Sequence, residues 1–311
     1  MRIILNNYLD RAVLGFALAL LALLLPGCSQ APRSPQTGDT TTLPAVVPAK
    51  PAPRIGLALG GGAARGFAHI GVIQVLEEAG IKPSMVVGTS AGSLVAALYA
   101  SGKGGAELQR VAEAMEEAAL TDWTLPIFSR GVFRGEALAR YVNAQLGNRL
   151  IEQLPLPLGI LATDLHSGEG VLFQRGDAGA AVRASSAVPG VFLPVQIGQR
   201  EFVDGGLVAP VPVGFARQMG AALVIAVDIS TTPQGNPASD AFKVLLQTFS
   251  IMGSTINSHE LKGADLVVRP SLHGVGSSDF AARRRSIEAG RAAMQALMPR
   301  LRQLLADPRP D

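Results

Sequence analysis

Two glycine-rich strings limit most strongly what this chain can fold into: Gly60-Gly61-Gly62-Ala63-Ala64-Arg65-Gly66 and, shortly after it, Gly88-Thr89-Ser90-Ala91-Gly92. Each follows a short apolar run that reads as a buried strand (residues 55–59 and 85–87), and each opens a helical pattern (residues 67–79 and 91–100). A strand that turns on glycines into a helix is half of a strand–helix–strand unit. Two in succession point to a mainly parallel sheet covered on both faces. Such junctions also have chemical uses. Glycines let successive backbone N–H groups converge with no Cβ in the way, and the following helix N-terminus favours negative charge. The second string is G-x-S-x-G, which thrusts a serine hydroxyl out of a sharp turn. An oxyanion site and a nucleophile are the first requirements of acyl transfer.

The alternation continues along the chain. Residues 107–119, 135–146, 178–186 and 286–305 read as helices, and a further helix lies between the apolar strands 223–228 and 266–268. Residues 158–163 and 170–174 read as strands separated by the polar turn His166-Ser167-Gly168, and another strand ends at Asp204-Gly205-Gly206. No internal repeat is present. An apolar content of 48 % with 35 glycines supports a large core with close helix–sheet approach. The 27 basic and 24 acidic side chains leave a net charge of only +3, which excludes the dense basic stripe of a nucleic-acid binder. The local run Arg283-Arg284-Arg285 is a solvated helix face or a contact for anionic headgroups.

The N-terminal segment has a different character. Arg2 and Arg11 precede a continuous apolar run over residues 12–25, the length of a signal-peptide core and too short for a membrane span. It ends in Leu25-Pro26-Gly27-Cys28, which resembles the bacterial lipobox, with Pro26 where a small or β-branched residue is usual. The expected organisation is a signal peptide over 1–27, then a lipidated Cys28 opening a Pro-rich tether over 28–53, then one folded domain over 54–311. That places the domain in the bacterial cell envelope, lipid-anchored to a membrane on its periplasmic face. Cys28 is the single cysteine, which excludes an intrachain disulfide and a cysteine-based metal cage.

Nucleotide binding is the rival use of a glycine loop, and the residues do not fit it. G-x-G-x-x-G fails in both registers, because Arg65 stands at the sixth position from Gly60 and Ala63 at the third from Gly61. The next strand ends in Gly88-Thr89-Ser90 and not in an acidic residue for a ribose. Gly66 is followed by Phe67-Ala68, which excludes a P-loop. Arg65 braces the loop, adds positive potential, or makes only a surface salt bridge.

Ser90 needs a base to take its proton. Asp204 followed by His259 or His273 has the Ser…Asp…His order of an α/β-hydrolase, but a single clear strand precedes the one leading to Ser90, and that fold places several there. His69 reads as a packed or loop-bracing side chain more than as a base. Asp204 remains, either as the base in a partly dry cleft or as a turn former bonding its own backbone.

These strings together, with Phe67-Ala68-His69-Ile70-Gly71-Val72 and Ala162-Thr163-Asp164, resemble the bacterial patatin-like phospholipases over approximately residues 55–298. The resemblance implies a three-layer α/β/α sandwich with a mainly parallel central sheet, and a Ser90–Asp204 catalytic dyad. It implies an oxyanion hole from the amides of Gly61, Gly62 and Ala63, supported by Arg65 and Gly66, with Gly88 and Gly92 shaping the elbow and Asp204-Gly205-Gly206 the acid turn. It further implies hydrolysis of phospholipid or lysophospholipid esters without metal or other cofactor. The family often has a fourth glycine where this chain has Ala63, and an alanine forced to positive φ costs on the order of 1 kcal/mol. A catalytically weak, lipid- or partner-binding lipoprotein of the same fold is the alternative. Asp164 reads as structural. The turn-rich stretch holding Trp123 and Phe128, with Phe133 beyond it, lines an acyl groove, dips into lipid or packs in the core. No oligomeric state follows from the sequence.

Overall fold

In a computed structural model of the chain, which describes residues 53–116, 122, 131–231, 239–276 and 278–306, the two glycine junctions sit at the centre of an eight-stranded sheet. Strands β1 (Ile55–Leu59) and β2 (Met85–Thr89) are buried at every position. They pair in parallel with each other, β2 with β3 (Leu158–Asp164), and β1 with β7 (Leu223–Val227), which in turn pairs with β8 (Leu266–Val268). The order along the sheet is β5-β6-β3-β2-β1-β7-β8, with β4 (Gly170–Phe173) on β3. The expected parallel sheet is therefore found from β8 to β3. Beyond β3 the sheet is mixed, because β4, β5 (Val195–Ile197) and β6 (Arg200–Asp204) make only antiparallel pairings.

Side-chain alternation along the strands builds two cores. Leu57, Leu59, Val86, Ile225 and Val227 point to one face, while Ala58, Met85, Val87, Val224 and Ala226 point to the other. The first face is covered by α1 (Ala68–Glu78), α2 (Ala91–Ala100), α3 (Gly105–Ala114), α4 (Glu136–Gln145), α5 (Ala178–Ser185) and α8 (Arg283–Ala306). The second carries α6 (Val213–Gln218) and smaller side chains. Each large aliphatic side chain buried this way contributes about 1.5–3 kcal/mol. The three-layer expectation is met. The last long helix, α7 (Ala241–Glu260), contributes no side chain to either core among the described residues.

The expected helix 67–79 begins one residue later, after a short 3-10 turn over Ala63–Phe67. Strand β5 and helix α6 were not expected: three and six residues are too few for a periodic pattern to show. Arg283 is engaged within the domain. Its Nη1 donates to the carbonyls of Ala112, Glu113 and Met115 and so closes the C-terminus of α3. The signal segment, Cys28 and the tether up to residue 52 lie outside the described residues, as do Trp123 and Phe128.

Candidate active site

The register of β3 explains how two distant segments meet. One edge of β3 pairs with β4 over residues 160–163, so β2 and β6 must share the other edge. On that edge Thr89 stands opposite Leu161 and Asp204 opposite Ala162. β2 arrives in parallel and β6 antiparallel, so Ser90, the next residue after β2, meets the end of β6 head-on. Asp204 is fixed there by its own N–H to Ala187 O (3.0 Å) and by Thr163 Oγ1 donating to its carbonyl (2.9 Å).

Ser90 has φ 52° and ψ −124°, a left-handed conformation that side chains other than glycine rarely adopt. The flanking glycines are required by close approach. A Cβ on Gly88 would lie 2.4 Å from Gly92 O, and one on Gly92 would lie 2.2 Å from Leu59 O. The turn is held by Ser93 N–H and Oγ–H donating to Ser90 O at 2.8 and 2.6 Å. A residue not anticipated from the sequence holds the other side. Buried Ser185 accepts from Ser90 N–H (2.8 Å) and donates its own proton to Leu161 O. Nothing local in the sequence marks this role, since both partners are remote along the chain.

Asp204 is 7 % exposed. Its Oδ1 accepts from Gly206 N–H at 2.7 Å, while Oδ2 has no hydrogen-bond partner among the described residues, and the nearby Ser90 hydroxyl favours the carboxylate form. Burial dominates, however, and pushes the carboxyl up to about 6, against the opposing pull of Gly206 N–H and Ser90. A carboxylate so placed is a better proton acceptor than one in water. No histidine lines the pocket among the described residues.

The glycine loop corrects one expectation. Gly61 N–H donates to Pro210 O (2.9 Å) and Gly60 N–H to Val227 O (3.0 Å), so Gly61 is not an available oxyanion donor; its amide ties the loop to the segment after Asp204. The N–H groups of Gly62 and Ala63 have no carbonyl partner among the described residues, and both residues line the pocket with Ser90 and Asp204. Ala63 has φ 50°, so the strain anticipated for an alanine here is present. His69 braces the loop. Its buried ring approaches Gly60 O at 2.8 Å, and since a carbonyl only accepts, Nε2 carries the proton. Burial lowers its pKa to about 4 and keeps the ring neutral. Among the described residues Arg65 makes no surface salt bridge and its Nε is unpaired: it is 6 % exposed, and burial lowers it to about 10 against the attraction of Asp228. Gly66 lies where a Cβ would come 3.0 Å from Ala91 Cβ, so it lets the loop pack on the start of α2. Gly205 packs its α-carbon against β3, where a Cβ would stand 2.2 Å from Leu161 O. Asp164 organises a turn by accepting from His166 and Ser167 N–H and from Arg200, which hold it below the usual carboxylate range.

These groups open into a cavity of about 510 Å³ whose other walls are largely apolar, including Val188, Pro189, Leu207, Leu246, Phe249 and Met252. The arrangement presents a hydroxyl, a neighbouring carboxylate and two unengaged amides to a greasy cleft.

Comparison with known proteins identifies the family and the fold. The profile of the family described as "Patatin-like phospholipase" matches residues 57–217. An "Uncharacterized NTE family protein" of Mycobacterium tuberculosis (strain ATCC 25618 / H37Rv) is 40 % identical over 190 residues, 61 % of this chain and 52 % of that protein. A second from the same strain is 32 % identical over 273 residues, 78 % of this chain and 46 % of that protein. The chain thus spans about half the length of these curated relatives. Mouse patatin-like phospholipase domain-containing protein 6 is 35 % identical over 186 residues, 57 % of this chain and 14 % of that protein. Among solved structures, VipD from Legionella pneumophila shares the fold with a TM-score of 0.54 at 15 % identity, covering 80 % of this chain and 67 % of that one. The chain belongs to the patatin-like phospholipase family.

Proposed function

We propose that this protein is a serine acyl hydrolase of phospholipid or lysophospholipid esters, working through a Ser90–Asp204 dyad. The observation that carries the reading is the head-on meeting of a strained serine turn with a buried, half-satisfied carboxylate beneath the amides of Gly62 and Ala63. In the forward step Ser90 Oγ attacks the ester carbonyl as its proton passes to Asp204. The two amides hold the oxyanion, each worth roughly 3 kcal/mol by analogy with other hydrolases. Collapse expels the alcohol, which takes the proton from Asp204 and leaves an acyl-serine. Water then attacks that ester, gives a proton to Asp204, and the fatty acid departs as Ser90 recovers its hydrogen.

Membership of a phospholipase family and the apolar cavity support the lipid substrate. A fluorophosphonate probe should label the wild type and not Ser90→Ala. A panel of diacyl and lysophospholipids should then show turnover that Ser90→Ala and Asp204→Asn both lose. An unlabelled wild type, or full activity in Asp204→Asn, would remove the dyad. The lipobox-like Leu25-Pro26-Gly27-Cys28 supports a lipid anchor on the periplasmic face of the bacterial envelope, which metabolic fatty-acid labelling of the wild type against Cys28→Ser would test.

A further inference from the structure

Helix α7 lies across the candidate active site and turns an uncharged face to solvent. From Val244 to Ser258 it carries no Asp, Glu, Lys, Arg or His. Helical periodicity sorts these residues into columns. The innermost, Leu246, Ser250, Gly253 and Asn257, is seated on the domain: the first three line the cavity, and Asn257 accepts from Val211 N–H at 3.2 Å. The next, Leu245, Phe249 and Met252, runs from the cavity wall to the surface. The outermost is Val244, Thr248, Ile251 and Thr255, all exposed.

Val244 is 51 %, Ile251 50 %, Met252 47 % and Leu245 38 % exposed; most of the large exposed hydrophobic side chains of the described residues are on this one helix. Even the threonines hide their polarity. Thr248 Oγ1 donates to Val244 O (2.9 Å) and Thr255 Oγ1 to Ile251 O (3.2 Å), so both hydroxyl protons are spent on the helix's own backbone. A helix facing water ordinarily carries charge on that side, and a contiguous apolar patch marks a contact surface. The acidic residues Asp240 and Glu260 stand only at its ends. Among the described residues no helix is long and apolar enough to cross a membrane, so α7 suits the interface plane and not a span.

We propose that the outer face of α7 docks on a lipid bilayer and delivers ester lipid to the cavity beside it. This rests on the hydrolase reading above and names where the substrate enters. The occupant is identified by continuity. The apolar surface passes from Ile251 and Val244, over Met252 and Leu245, to Phe249 and Leu246 in the cavity that holds Ser90, which Lys243, paired with Asp240, also lines. An acyl chain leaving the membrane along this path stays on apolar surface to the nucleophile. The absence of any carboxylate between the helix ends also removes repulsion from anionic headgroups.

The chain's single cysteine makes a direct test available. In the full-length Cys28→Ser protein, Ile251→Cys and, separately, Val244→Cys carry an environment-sensitive fluorophore, with Arg302→Cys on α8 as the control. On addition of phosphatidylcholine/phosphatidylglycerol vesicles the labels at 251 and 244 should shift to the blue and be quenched by spin-labelled lipid, while that at 302 does neither. No shift at 251 and 244, or a shift that follows protein concentration without vesicles, as a second copy of the chain would cause, overturns the proposal. Neither Val244 nor Ile251 lines the cavity. Val244→Glu/Ile251→Glu should therefore keep turnover of a monomeric short-chain ester while losing roughly 10-fold or more on vesicles. Equal loss on both substrates counts against docking. A wild type inactive on both refutes the hydrolase reading and leaves the fluorescence result to decide the docking.

Discussion

Replacing Asp204 by asparagine should make the protein more stable as it makes it inactive, and the gain should depend on pH in one direction. Burial raises the Asp204 carboxyl from 3.8 to about 6. The folded chain therefore binds this proton more tightly than the unfolded chain, and folding loses free energy as pH climbs from about 4 to about 6. Above that the loss is complete. A shift of about 2.2 units at 1.36 kcal/mol per unit amounts to about 3 kcal/mol. Asparagine has no charge to desolvate. Its carbonyl can keep the Gly206 N–H, now without charge assistance, and its amide can donate to Ser90 Oγ. Allowing about 1 kcal/mol for the weakened Gly206 bond leaves a net gain of about 2 kcal/mol at pH 8. For a domain of this size that is a rise in Tm of roughly 4–8 °C. Urea unfolding of wild type and Asp204→Asn at pH 8 and pH 4 measures the effect. The advantage should be present at pH 8 and fade or reverse at pH 4. An asparagine variant less stable at pH 8, or one with the same advantage at both values, would show that the carboxyl is not held charged against its surroundings.

On the proposed mechanism the same titration should set activity. kcat/KM should fall tenfold per unit below about pH 6, as Asp204 takes up a proton and ceases to be a base; a flat profile down to pH 4.5 would exclude it. Ser185→Ala orphans the Ser90 N–H, at about 1–3 kcal/mol for a buried donor. Fluorophosphonate labelling should slow and kcat drop with KM little changed, and Ser185→Thr should recover part of the rate, whereas a purely structural serine would move Tm alone. Ala63→Gly relieves a φ of 50° and should stabilise by about 0.5–1 kcal/mol, a degree or more in Tm by calorimetry, with labelling of Ser90 at least as fast as in the wild type.

The parts of this molecule legible in its sequence are those whose determinants are local. β1, β2 and α2 are bounded by glycines and carry unbroken apolar runs, and the polar turn His166-Ser167-Gly168 marks the break between β3 and β4, though not their antiparallel pairing. The positions of Ser90 and Asp204 at strand ends were readable for the same reason. What escaped depends on partners far along the chain. The amide of Gly61 is occupied by Pro210, and the hydroxyl of Ser185 by Leu161 and Ser90; neither acceptor nor donor is implied by neighbouring residues. Helix α7 was expected only as a connection between β7 and β8. Its uncharged stretch was visible in the sequence, but which side faces solvent depends on how the helix rests against Val211 and the cavity.

The shared edge of β3 has a consequence for how this scaffold can diverge. Ser90 and Asp204 are both gauged from adjacent residues of one strand, Leu161 and Ala162, and held by Ser185 and Ala187, so their separation does not depend on the length of the connection between α2 and β3. Excursions there can be lengthened, trimmed or exchanged between homologues to suit new substrates, while a single-residue slip of β6 along β3 would misplace the acid by a full strand step.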